Sequence, residues 1–416
     1  MNLLTANSAR LLMFTWLATI FLAIGSERAA ASDEPPRLFL LDPKQLVEVK
    51  ARITSGDTAL FPAFNKLVSE VNRALKSQTP SVTQKKLIPP SGDWHDYMSI
   101  APYWWPNPDT VNGLPYVRHD GEVNPERDQT SDRKRLDKMV QAVKTLSLGY
   151  FLTGHEEYAA QATKLLRAWF WDPATRMNPN LRYAQAIPGR TSGRGAGIIE
   201  THNLPELIDA VGMLKGSKSW DQSRQEALQD WFNAYFIWLL ESQEGRTEAK
   251  AQNNHGTWYD VQVASYALFS GKVDLAKNLL REFPTTRIAQ QIEPDGRQLN
   301  ELKRTQAWNY SLFNLEAFFN AASLADKLGI DLWSYETADR RGIRKALDWL
   351  VPFATGEREW SYPQISAWHP EKLAPLLRRA AGRYQELTYE KAISRLPGKF
   401  TDQRWQLFYP KSSFEQ

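Results

Sequence analysis

Two stretches of this 416-residue sequence hold side chains whose types and spacing suit chemistry. The first is Ala251-Gln252-Asn253-Asn254-His255-Gly256-Thr257-Trp258-Tyr259-Asp260, where amides, a histidine, aromatic rings and a carboxylate crowd together. The second is Glu301-Leu302-Lys303-Arg304-Thr305-Gln306-Ala307-Trp308-Asn309-Tyr310, which adds an arginine and a tyrosine. Amides, histidine and arginine can hydrogen-bond or neutralise a carboxylate, and tyrosine or histidine can carry a proton. That set fits elimination from a uronate. The carboxylate on C5 is neutralised, the C5 proton is taken, and the departing oxygen on C4 is protonated.

Tyrosine ordinarily titrates near pH 10, so a tyrosine base needs a cation beside it. Arg304 lies six residues before Tyr310. On one regular helix the two would point about 120° apart, so we place Thr305 as the N-cap and leave Arg304 free outside the helix. Tyr259 sits one turn beyond His255 and is the rival base. Plainer roles exist for each: Asn253-Asn254 as a cap, His255 as a core residue, and Tyr310 as one of 15 tyrosines.

Other chemistries fit less well. None of the six histidines forms an HxxxH pair, cysteine is absent, and no loop of alternating Asp/Asn suggests calcium. We therefore expect no metal and no other cofactor. A GxSxG elbow is missing. Gly193-Arg194-Gly195-Ala196-Gly197 reads as a place of close backbone approach, with Arg194 aimed at a ligand anion. Glu200, Asp260, Glu293, Asp295 and Glu301 keep an all-α glycoside hydrolase open, and a non-catalytic uronate-binding protein also stays open.

The positioning elements are helices. Leu136, Met139, Val140, Val143, Leu146 and Tyr150 mark one apolar face, and Tyr158, Ala162, Leu165, Leu166, Trp169 and Phe170 mark the next after Gly154. A further helix is expected from Ile199 to Leu214, then others over 223–243, 255–270, 273–284, 305–328, 340–354 and 371–393. Hairpin after hairpin without convincing strands predicts an all-α fold, an incomplete (α/α) toroid or barrel in one domain over 32–416. Residues 91–130 are rich in proline and aromatic rings, which forbids regular helix; we expect an ordered wall beside the cleft.

The 16 Trp, 15 Tyr and 18 Phe supply both a large core and rings for stacking on sugars. The formal net charge of +4 suits an acidic polymer. No basic run resembles a nucleic-acid arm. Arg10, the apolar run Leu11–Gly25 and Ala29-Ala30-Ala31 read as a cleaved signal peptide over 1–31, too short for a membrane span. Stable membrane insertion is not expected, and the periplasm of a Gram-negative bacterium fits best.

Asn253-Asn254-His255 followed by an aromatic residue, then Arg304-Thr305 and Tyr310 some fifty positions on, resembles the alginate lyase superfamily. It is similar to polysaccharide lyase family 5 and closer to the group that includes family 38. Ser99-Ile100-Ala101-Pro102-Tyr103-Trp104-Trp105-Pro106 and Asn178-Pro179-Asn180 through Gln185-Ala186-Ile187-Pro188-Gly189 share the resemblance, which covers roughly residues 90–370. It implies an (α/α) toroid and β-elimination on an anionic uronate polysaccharide or oligosaccharide. Asn254 and His255, with Arg304 assisting, would hold the C5 carboxylate. Tyr310 would be the base, and on mannuronate also the acid; on guluronate His255 could become the base. Asn253, Gln185, Arg194, Tyr103, Trp104 and Trp258 are implied subsite residues. Gly256-Thr257-Trp258 departs from the usual family 5 continuation.

Overall fold

The computed structural model describes residues 35–411 apart from residue 131. The expected signal peptide, residues 1–31, lies outside them. Thirteen α-helices of seven residues or more lie among the described residues. They are α1 (Pro43–Thr54), α2 (Phe61–Leu75), α3 (Arg133–Thr153), α4 (Glu156–Phe170), α5 (Leu204–Gly212), α6 (Gln222–Glu241), α7 (Gln243–Ala249), α8 (Asn254–Phe269), α9 (Val273–Phe283), α10 (Ala307–Asp326), α11 (Ile343–Ala354), α12 (Ala374–Tyr384) and α13 (Leu387–Arg395). The structure is mostly helical, and sequential helices pack as pairs: α3 on α4, α8 on α9, α12 on α13. Gly154, at φ 77°, makes the left-handed turn that ends α3 and returns the chain as α4.

The hydrophobic core is continuous from Leu38 to Leu407. Its axis is α8, which packs on α5, α6, α9 and α10. Every residue of α8 is buried except His255. A helix apolar on all sides belongs inside a protein, and here the first turn alone reaches an accessible surface. Near the first of the described residues, Asp209 of α5 accepts the backbone N–H groups of Phe39, Leu40 and Leu41 at 2.7–2.9 Å. Three donors satisfy a buried carboxylate and pin that segment to the core. Among the described residues no helix is long and apolar enough to cross a membrane.

Several elements depart from expectation. Residues 371–393 form two helices, because Gln385 takes a left-handed φ of 51° and Glu386 then caps α13 through the Thr388 N–H. The helix expected from Ile199 divides into a 3-10 segment, Gly195–Thr201, and α5, which Pro205 helps start. The wall at 91–130 contains short strands. β1 (Met98–Ile100) pairs in parallel with β4 (Tyr183–Ala186), and β2 (Trp104–Trp105) pairs antiparallel with β3 (Val117–Arg118). These pairs satisfy backbone groups that proline-interrupted chain could not satisfy by helix.

Candidate active site

Arg304 lies outside α10, which begins at Ala307, but Thr305 is not its cap. Gln306 occupies that position without a side-chain capping bond. The Thr305 hydroxyl instead donates to the Asp120 carbonyl at 2.8 Å. Gln306 Nε2 donates to the Gly121 carbonyl at 2.7 Å, and Ile365 N donates to the Thr305 carbonyl at 2.9 Å. Three distant pieces of chain are thereby clasped over the start of α10.

The clasp fixes Arg304. Asp120 accepts from Arg304 Nε at 3.0 Å and from Nη2 at 2.8 Å, a bidentate pair. Burial opposes ionisation of Asp120, but the Arg304 hydrogen bonds and charge, helped by Arg118, hold its carboxyl down to about 2. Arg304 Nη2 also donates to the Tyr310 hydroxyl at 2.7 Å, and the guanidinium carbon lies 3.8 Å from the centre of the Tyr310 ring. Tyr310 in turn donates to the Tyr103 hydroxyl at 2.6 Å. Burial and then Tyr103 push the Tyr310 phenol well above its ordinary range, against the pull of Arg304. In the free protein Tyr310 is thus a phenol with a cation at hand to receive a phenolate.

The other half of the site is the first turn of α8. Asn253 is its N-cap, and its side-chain oxygen accepts the His255 N–H at 3.2 Å. Asn253 thus has a structural contact through its oxygen, beside the substrate contact expected of it. Asn254 is buried; its backbone N–H and its Nδ2 donate to the two oxygens of Glu301 at 2.7 and 2.8 Å. Nδ2 carries two protons, so one remains for a ligand. Burial raises the Glu301 carboxyl, while Asn254 and the charges of Arg304 and His255 draw it down. Glu301 thus ties the two sequence stretches into one site. His255 Nδ1 lies 2.6 Å from Oε1 of the buried Glu248, on α7. An ionised carboxylate can only accept, so Nδ1 carries a proton toward Glu248 and Nε2 is the ring nitrogen that Glu248 does not engage.

Gln185 and Arg194 meet: Arg194 Nη2 donates to Gln185 Oε1 at 2.6 Å, and Gln185 sits at a left-handed φ of 51°. Burial and the neighbouring Arg118 lower the Arg194 pKa, with Glu248 and Glu200 opposing. The glycine run has the expected role, since a Cβ on Gly193 or Gly197 would overlap the Arg182 or Ala184 backbone. Trp104 is half-buried beneath the Arg190 guanidinium, 5.2 Å from its ring.

Two expectations fail. Trp258 is a core residue: it is fully buried, its Nε1 donates to the Phe313 carbonyl, and it packs on His202 and Phe313. Tyr259 is also unsuited as the base. It is buried, its hydroxyl donates to the Leu239 carbonyl at 2.9 Å, and burial drives its pKa far up. The acids weighed for hydrolysis are held by internal partners. Asp260 pairs with the buried Arg287, Glu200 accepts from Tyr97 and Ser99, Glu293 and Asp295 pair with Arg341 and Arg297, and Glu301 holds Asn254. Asp120, Glu248 and Glu301, which position the predicted residues, were not singled out for those roles in the sequence; their carboxylates alone do not distinguish them from other acids.

A family model described as alginate lyase matches residues 81–360. The crystal structure of an alginate lyase from Bacteroides ovatus is 39% identical, covers 91% of this chain and 100% of its own, and superposes with a TM-score of 0.87. Alginate lyase A1-III from Sphingomonas species A1 is 17% identical, with 93% of this chain and 100% of that chain covered and a TM-score of 0.58. A variant of alginate lyase A1-III complexed with tetrasaccharide is 16% identical over 94% of this chain and 98% of that one, with a TM-score of 0.61. Those two distant likenesses speak for the fold alone. No curated protein matches the sequence. With the family model spanning most of the sequence and the Bacteroides ovatus enzyme matching 91% of it at 39% identity, this chain belongs to the alginate lyase family and is a polysaccharide lyase.

Proposed function

We propose that the enzyme cleaves alginate or a related polyuronate, such as poly-mannuronate or glucuronan, by β-elimination at Tyr310. The observation that carries this reading is the placement of the Tyr310 hydroxyl between the Arg304 guanidinium and the Tyr103 hydroxyl. Arg304 stabilises a phenolate, which takes the C5 proton. Electrons of the C5–H bond form the C4–C5 double bond as the C4–O bond breaks. On mannuronate the proton and leaving group lie on one face, so the same tyrosine returns the proton to the departing oxygen. Asn254 and the first turn of α8 hold the uronate carboxylate, and Arg194, Gln185 and Trp104 contact neighbouring sugars. The second arrangement rests on the Glu248–His255 contact: His255 Nε2 takes the proton from guluronate while the Tyr310 phenol protonates the leaving group.

The helical pairs are proposed to wind as an incomplete (α/α) toroid, a reading supported by the sequential pairing of α3 with α4, α8 with α9 and α12 with α13. Export to the periplasm is proposed from the signal-like residues 10–31; an exported protein whose N-terminus is not near Ser32 would refute cleavage there.

The test is product mass and ultraviolet absorbance with poly-mannuronate, poly-guluronate and glucuronan. Elimination leaves an unsaturated product one water lighter than hydrolysis would. Tyr310→Phe is expected to abolish turnover and retain oligomer binding. Because the Tyr310 phenol is raised, phenolate catalysis makes the logarithm of the mannuronate rate climb with pH through neutrality without levelling; a rate that levels off near neutrality would speak against a phenolate base. Normal turnover by Tyr310→Phe removes the tyrosine from the mechanism.

A further inference from the structure

A cavity of about 670 Å³ opens from Tyr103 and Tyr310 and runs along α10. It is within the size range of pockets that enclose organic ligands. Asn309, Phe313, Glu316 and Asn320 line it from one face of α10. From Tyr310 to Asn320 the helix rises about 15 Å, which exceeds the length of a single sugar ring. Trp405, Phe408 and Tyr409 supply aromatic wall.

The far part of the cavity is charged, and the reaction at Tyr310 does not use that charge. Lys144 of α3 pairs with Glu206 of α5. Glu206 keeps 34% side-chain exposure although it is desolvated, so that exposure is cavity wall. Arg379 of α12 donates to Asn320 Oδ1 at 3.0 Å and to Ser323 Oγ at 3.1 Å. Among the described residues no carboxylate lies within ion-pair distance of it, and the Glu316 carboxyl makes no hydrogen bond. A guanidinium with spare donors, an acid that makes no hydrogen bond and aromatic rings together form a charged end of the cavity. Unpaired groups of this kind are costly unless a ligand answers them.

We propose that this cavity is a uronate subsite remote from the cleaved bond, where Arg379 takes the carboxylate of a sugar further along the chain and Glu316 bonds a hydroxyl. The inference rests on the lyase reading and adds where the rest of the substrate lies. It also carries a pH dependence. Burial and then Glu206 push Glu316 up to about 7, against Arg379 and Lys144. The other charged or titratable groups lining the cavity are Asp209, engaged by the Phe39–Leu41 amides, Lys372 at the rim, and the Tyr103, Tyr310 and Tyr409 phenols. Lys144 and Glu206 offset each other. Below pH about 7 a neutral Glu316 leaves the Arg379 charge uncompensated, matching one ligand carboxylate; above it the two cancel.

The test is calorimetric binding of defined mannuronate oligomers of increasing length to the full chain carrying Tyr310→Phe, with and without Arg379→Ala or Glu316→Gln. Arg379→Ala is expected to weaken long oligomers roughly tenfold or more and to leave the shortest unchanged, as loss of one charge-assisted contact predicts. Carboxyl-reduced oligomers should not respond to it. Glu316→Gln should bind long oligomers with the loss of affinity above neutral pH removed. Equal weakening at every length, or no weakening at any, overturns the proposal. Arg379→Lys, which keeps the charge, and Glu316→Gln, which keeps the shape, carry the test if Arg379→Ala does not fold. Length-dependent binding without unsaturated product from the unsubstituted enzyme refutes the lyase substrate alone. Product with length-independent binding refutes the subsite alone.

Discussion

Replacing Asp120 by alanine tests how the clasp prepares Tyr310. The carboxylate accepts both nitrogens of the Arg304 fork and the Thr305 hydroxyl. Its fall from an ordinary 3.8 to about 2 corresponds to about 2.5 kcal/mol of preference for the charged form. The side chain is 23% exposed, so we discount that for solvent screening to about 1–1.5 kcal/mol of folding stability. The sign follows from a lowered carboxyl: the contribution is complete above pH about 4 and is lost as pH falls toward about 2. In urea unfolding at neutral pH, Asp120→Ala should therefore lose about 1–1.5 kcal/mol, and the gap to the native enzyme should narrow on acidification below pH about 4. The kinetic effect should exceed the structural one. Without Asp120, Arg304 is free to swing from the Tyr310 ring, and misplacement by about 1 Å can cost on the order of 100-fold in rate. We expect kcat, read as appearance of unsaturated product, to fall about 10- to 100-fold, with KM changing far less. Asp120→Asn, retaining one acceptor oxygen, should fall between. A variant with the stability loss and native kcat would show that the Asp120–Arg304 pair does not prepare Tyr310.

Two other substitutions separate structural from functional roles. Gly256→Ala would drive a Cβ into the Ala251 carbonyl and the Arg287 guanidinium; we expect a loss of about 3 kcal/mol or more in denaturant unfolding, and a loss below about 1 kcal/mol would show that this turn can yield. Trp258→Phe should lower the thermal midpoint through the lost Phe313 hydrogen bond and packing while KM for uronate oligomers stays within about threefold; a raised KM with unchanged stability would return Trp258 to the ligand surface.

The apolar spacing along α3 and α4 made those helices legible, because a face buried against its neighbours leaves a repeat in the sequence. Trp258 was misread for the converse reason. α8 is buried on all sides, so its sequence offers no polar stripe against which a ligand-facing ring would stand out. Asn254, His255, Arg304 and Tyr310 were accessible as residue types and through a family pattern, whereas their partners were not. Asp120 is 184 residues from Arg304, and Glu301 is 47 from Asn254. Nothing local marks such an acid as different from one on a solvated face. The short strands at 98–118 were hidden by proline and by lengths too small for alternation to register.

The clasp over α10 also orders assembly. Asp120, Thr305 and Ile365 belong to segments that reach one another only after most of the chain has emerged, and closing such contacts costs loop entropy before it is repaid. Helical signal and a buried core can therefore form while Arg304 still lacks its anchor. The Asp120–Arg304 pair therefore cannot close before α1 to α9, which all precede Arg304, have been synthesised.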